Sequence, residues 1–313
     1  MTVPRRHALV LAVLALLTIL VVLVLGTKGL GYPNPADRRR PVAEIESRSA
    51  AERGRSSLVL SLSCLDSLTK AKPNDAIRFC SLALALAPDS VSLLNLRGAA
   101  YALAGARTLA LADLSHALAL DPRDLDAYRV RGNVYVALKR DREALADYDH
   151  ALSIVPRDPL SLQARGFLYQ TQGRYRLAIA DFDAAIAVQP RLAPLWNSRC
   201  WTRMLANRDL QAALADCDMA VRLQPTSANA RDSRGYVLLR LHRPAGAIDS
   251  FERALALSPK LASSLFGRGI ARLQMRDALG VRDIAMARLI EPGIEQRFAR
   301  VGIRVPAIGP SGA

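Results

Sequence analysis

Apolar positions along the chain follow two patterns. From Ala8 to Leu25 they form one run of 18 residues, broken only by Thr18. From residue 57 to 292 they recur in phase with prolines and small residues. Proline stands at 88, 122, 156, 190, 225, 259 and 292, in steps of 33 to 35 residues. Alanine keeps the same period twice, at 76, 110, 144, 178, 213 and 247, and at 83, 117, 151, 185, 220, 254 and 287. Gly98, Gly132, Gly166, Gly235 and Gly269 form a further series, with Cys64 and Cys200 in the same slot. A fixed period of this length predicts a solenoid, in which each unit buries its apolar face against its neighbours. Aromatic residues are 5% of the chain while Ala and Leu are abundant. That composition predicts helices rather than strands.

The run at residues 8–25 has the length a helix needs to cross a bilayer. Arg5 and Arg6 precede it, and no small-x-small cleavage site of the Ala-x-Ala kind follows. Residues 1–26 are therefore expected to be an uncleaved anchor, with a cleaved signal peptide as the alternative. Arg5 and Arg6 favour a cytoplasmic N-terminus, which exports everything after residue 26. Secretion after cleavage, or repeats left in the cytoplasm, are the other placements. Residues 27–41, with Gly29, Gly31, Pro33, Pro35 and Pro41, read as a linker. Residues 42–56 read as a lead-in helix.

The repeat resembles the tetratricopeptide repeat (TPR) family. The third unit carries Tyr128, Gly132, Tyr135, Ala144, Tyr148, Ala151 and Pro156 in the family's order. The fourth carries Leu162, Gly166, Tyr169, Ala178, Phe182, Ala185 and Pro190. The resemblance implies an all-α, TPR-type helical-hairpin solenoid preceded by one transmembrane helix. Its seven units span 57–90, 91–124, 125–158, 159–192, 193–227, 228–261 and 262–292, and 293–313 form a cap and tail. One departure recurs: Arg97, Arg131, Arg165, Arg199, Arg234 and Arg268 stand just before the small residue, where the family usually has Leu.

Charge is uneven. The net value is +5 for residues 1–56, zero for 57–158 and +10 for 159–313. An anionic partner would therefore meet the C-terminal half. The recurrent Arg face Asp113, Asp147, Asp181, Asp216 and Asp283 of the second helices at equal height. Ion pairs within each hairpin are favoured over an anion-binding ladder, since buried Arg is usually paired.

Cys64 and Cys80 occupy matched slots of the first unit, and Cys200 and Cys217 the same slots of the fifth. Two readings stand: local disulfides, or small apolar filler. No His or second Cys pair stands near enough in sequence to suggest a metal site, and no cofactor is expected. His116 and His150 share a slot expected on the solvated outer face. No nucleophile–base, zinc-protease, phosphate-loop or dinucleotide motif occurs, so no enzyme and no small-molecule substrate are expected.

The resemblance also implies a binding groove lined by the first helices. Its slots fall on Asn95, Arg129, Gln163, Asn197 and Asp232, with Asn133, Phe167, Trp201 and Tyr236 four residues on and Gln170 in a third row. Amides beside aromatics suit an extended peptide or a partner helix. The carboxylate clamp of some family members fails here, because Ala164, Pro194 and Ser198 replace its later residues. The expected function is a membrane-anchored scaffold for a protein or peptide partner. The rival is a binder of an anionic polymer (polysaccharide, lipid headgroup or RNA), although nucleic acid is not the expected partner.

Overall fold

Each repeat folds as two helices joined by a tight turn. The structure is a computed structural model that describes residues 50–306, whose regular elements are all helices. The first hairpin is α1 (Ala50–Thr69) with α2 (Pro73–Leu86), followed by α3 (Val91–Leu103) with α4 (Arg107–Leu120) and α5 (Leu125–Ala137) with α6 (Asp141–Ile154). Then come α7 (Pro159–Thr171) with α8 (Tyr175–Val188), α9 (Ala193–Leu205) with α10 (Leu210–Leu223), and α11 (Ala228–Arg240) with α12 (Pro244–Leu257). The last hairpin is α13 (Ala262–Gln274) with α14 (Leu279–Ile290), and a short helix, α15 (Ile294–Ala299), ends the series. The residues expected as a lead-in helix run without a break into α1, from Ala50 onward.

The chain divides into two compact units, one ending at Ala164 and the other beginning at Arg165, inside α7. In the first unit α2 packs on α3 and α4 on α5, while α3 also touches α1 and α5. In the second, α8 packs on α9, α10 on α11 and α12 on α13, while α11 touches both α9 and α13. First helices of successive hairpins therefore lie side by side within a unit and form one face.

Helix starts follow local chemistry. Asp124 accepts the Ala127 amide at 2.7 Å and Asp158 the Ser161 amide at 2.7 Å, both as N-caps. Proline at the start of α2, α9 and α12 gives up an amide that has no helical partner there. Every turn inside a hairpin holds a residue at positive φ: Ala71, Gly105, Lys139, Gly173, Asn207, His242 and Arg276, with Asp209 a second in the fifth. The left-handed residue reverses the chain after the first helix.

The small-residue series is explained by contact distance. A Cβ on Gly132 would lie 2.6 Å from Cε1 of Tyr148, and one on Gly235 2.5 Å from Cε1 of Phe251. The two helices close onto each other only because the side chain is missing. In the first and fifth hairpins, cystines fill the same pair of slots. Cys64 is bonded to Cys80 and Cys200 to Cys217, with Cα atoms 5.3 and 5.4 Å apart. All four cysteines are fully buried.

The recurrent arginines pair within their hairpins, as expected from sequence. Arg97 grips Asp113 through Nε and Nη2 at 2.7 and 2.8 Å, and Arg131 grips Asp147 at 2.9 and 2.7 Å. Arg165 with Asp181, Arg199 with Asp216 and Arg268 with Asp283 repeat the fork. The third nitrogen then reaches the preceding hairpin. Arg131 Nη1 meets Ser115 at 3.2 Å, and Arg199 Nη1 meets Asp183 at 2.6 Å. In the sixth hairpin Ser250 replaces the aspartate, and Arg234 binds Ser250 and Asp218, each at 2.7 Å. The hydrogen bond to Asp147 holds the Arg131 guanidinium above its ordinary pKa.

No described helix is long and apolar enough to cross a membrane. The anchor expected at residues 8–25, the linker at 27–41, residues 42–49 of the lead-in helix and the end of the tail lie outside the described residues.

The ladder predicts an asymmetric mutational response. Arg131→Ala leaves the Asp147 carboxylate, 4% exposed, without its partner. It is expected to destabilise by about 3–5 kcal/mol. Replacing both residues by Leu is expected to recover most of that loss, as read by urea denaturation of the three chains.

Candidate functional site

The first-helix face carries the residues expected to bind a partner, but much of it holds the hairpins together. In the first unit Asn95 Nδ2 donates to Asp124 Oδ2 at 2.8 Å, the same aspartate that caps α5. One hairpin on, the Arg129 side chain is fully buried. It bonds Asp126, and its Nη1 lies 3.6 Å from Asp158, the cap of α7. In the second unit Ser264 Oγ of α13 donates to Asp232 of α11 at 2.5 Å. At these three positions the slot residue grips the start of the next first helix.

Asn133 is also committed: its Oδ1 accepts the buried Tyr148 hydroxyl at 2.6 Å. Gln163 is 6% exposed. Four expected residues remain open or partly open, all in the second unit. Phe167 is 42% exposed, its ring edge-on to Phe182 at 5.5 Å. Gln170, Asn197 and Trp201 are half-buried.

Tyr236 corrects an expectation. Its slot reads as an open aromatic that receives a partner's side chain, yet it is 0% exposed. Its hydroxyl donates to the Ser263 carbonyl at 2.6 Å. Its ring lies 5.0 Å from Phe251, 5.8 Å from Trp201 and 4.6 Å from Phe298 of α15, stacked on the last. Burial pushes its hydroxyl well above the ordinary tyrosine pKa. The chain that follows α14 folds across the first-helix face and covers this slot. Nothing in the repeat pattern signals that return, because the segment lies outside the repeats. Its apolar spacing, Ile294, Phe298 and Ile303, was the one readable sign.

Among the described residues no group of three metal-ligating side chains occurs. His116 and His150 are exposed, and His150 stacks on Tyr128 at 5.2 Å. Among the described residues Asp232 is the carboxylate raised most, to about 6, by burial, while hydrogen bonds from Ser264 and Ser263 pull it down.

A tetratricopeptide-repeat family model matches residues 164–228 and 202–262. Among curated proteins, none matches the sequence. Solved structures share the fold. A tetratricopeptide repeat protein from Parabacteroides merdae aligns at 18% identity and TM-score 0.60, over 79% of this chain and 98% of its own. The Cut9–Hcn1 hetero-tetramer of APC/C aligns at 15% identity and TM-score 0.65, over 86% of this chain and 57% of its own. PilW, a type IV pilus biogenesis factor, aligns at 20% identity and TM-score 0.59, over 65% of this chain and 94% of its own. Residues 164–262 thus match the tetratricopeptide-repeat family, and the described residues as a whole share its all-α fold of helical hairpins.

Asp232 generates a pH prediction. Its folded pKa of about 6 exceeds the ordinary 3.8, so the folded chain holds this proton more tightly than the unfolded chain. The group's contribution is therefore most favourable below the unfolded value and is lost as pH rises through about 6. Asp232→Asn is expected to abolish that decline. Thermal melts of both chains at several pH values between the two pKa values and neutrality measure it.

Proposed function

We propose that the protein is a membrane-anchored scaffold that holds an extended peptide or a partner helix along its first-helix face. One observation carries the reading. In the second unit Gln170 Oε1 and Asn197 Oδ1 are shielded from solvent with no donor beside them. They share that face with Phe167 and Trp201, three or four residues away along the same helices. A buried acceptor left without a donor costs about 1–3 kcal/mol. The N–H groups of an extended peptide supply the missing bonds, and its alternate side chains meet the rings. Asn95 Oδ1 is in the same condition in the first unit.

The ladder counts against an anionic polymer as the main partner. The six recurrent arginines, the regular cationic row along the array, are each bonded to a carboxylate. Polymer binding needs cations free to replace counterions. Its discriminating property is a steep loss of affinity with salt, which a peptide held by amides and rings shows less.

The anchor in this reading is the apolar run at residues 8–25, with the repeats on the exported side. Two buried cystines suit an oxidising compartment. Protease added outside the inner membrane is then expected to cut beyond about residue 30. Protein taken from its native membrane is expected to show no alkylatable thiol before reduction. Protected repeats, or four free thiols, would return the array to the cytoplasm.

Phe167→Ala and Trp201→Ala are each expected to weaken the partner captured from native membranes by about 1–3 kcal/mol. Phe167 is largely open, so its loss is expected to leave the melting temperature nearly unchanged. Titration of the captured partner against the three chains measures the effect. Equal affinity for all three would move the site off this face.

A further inference from the structure

The segment after the last repeat lies where a ligand of the first-helix face would lie. An eighth repeat would set its first helix beside α13. α15 takes that side, packed against both α13 and α14, and its Phe298 reaches on to the hairpin before, stacking on Tyr236 of α11 at 4.6 Å and on Phe266 of α13 at 5.2 Å. Ile294, one helical turn earlier, is fully buried, and Ile303 is 6% exposed. Arg240 Nη1 of α11 points to the Val301 carbonyl at 3.5 Å. Arg297 sits one residue before the buried ring and is bonded to Glu291.

The attachment is slight. α15 has six residues, and exposed Pro292 and Gly293 join it to α14. Its outer side borders an open cleft lined by Pro292, Gly293, Gln296, Arg297 and Arg300. A six-residue helix at the edge of the array, held by Ile294, Phe298 and Ile303 with Val301 and Val305 packed beside them, belongs to the part of a fold that opens first.

We propose that the α11–α13 face is a docking site for a short peptide with an aromatic anchor and an aliphatic residue one turn earlier, and that the chain's own residues 294–305 hold this site closed. The segment displays the chemistry the site accepts: an aliphatic knob, Ile294, and a ring, Phe298, stacked on Tyr236 and Phe266. A partner peptide of that pattern displaces it, so binding at this end is gated by the C-terminus. The inference rests on the groove function proposed above and names a second, closed part of the groove.

The test uses the full-length chain and a synthetic peptide of residues 292–306. In Phe298→Ala the site is open, and the peptide is expected to bind at least tenfold more tightly than to the unaltered chain. A peptide carrying Phe298→Ala is expected to bind neither. Failure of the intact peptide to bind the folded variant overturns the proposal. Hydrogen exchange on the unaltered chain gives a reading that does not depend on the variant's folding. Amides of 294–303 are expected to exchange at least tenfold faster than those of α11 and α13. Equal protection makes the segment part of the core and overturns the proposal. So does exchange of segments between differently labelled copies, which would make a second copy the occupant. Docking in trans needs no outside partner. Its failure leaves the Phe167 and Trp201 site standing, and the failure of that site is read separately by partner capture.

Discussion

The arginine ladder is the constraint on which the rest of the structure depends. Asp113, Asp147, Asp181, Asp216 and Asp283 are nearly buried, and a buried carboxylate is stable only with a charged, hydrogen-bonded partner. The arginine that supplies it comes from the first helix of the same hairpin, which fixes the height of one helix against the other. Its spare nitrogen meets the second helix of the hairpin before, which fixes one repeat against the next. A leucine in that slot, the usual family choice, would pack but would not set register with the same directionality.

The close approach of the two helices follows from the same region of the hairpin. A glycine opposite a ring and a cysteine opposite a cysteine are two solutions to one spacing problem. Both let the backbones come near enough for the guanidinium fork to reach across. The cystine adds a covalent restraint to two hairpins whose small-residue slot is not glycine.

With the ladder on one side of each first helix, the opposite side is left to join hairpins or to bind. Asn95, Arg129 and Asp232 join: each contacts or approaches a residue at the start of the next first helix. Gln170 and Asn197 do not, and their oxygens are left without a donor beside Phe167 and Trp201. At the C-terminal end the same face is closed by the chain itself, through Phe298.

The sequence by itself determined the repeat, its period, the helical hairpin and the arginine–aspartate partnership. These are local in character: a residue type at a fixed offset meets its partner one helix away, so a periodic pattern implies the contact. It also named a candidate binding face on the first helices. The tertiary structure decided which residues of that face are available. Arg129 and Tyr236 occupy slots that look open along one helix, and both are buried by groups from elsewhere: the caps of the following helix, and a ring 62 residues later in the chain. Availability depends on what the neighbouring repeat and the C-terminal segment bring to the slot. No spacing within a single repeat encodes that, because the contact is made only when the chain returns across its own face.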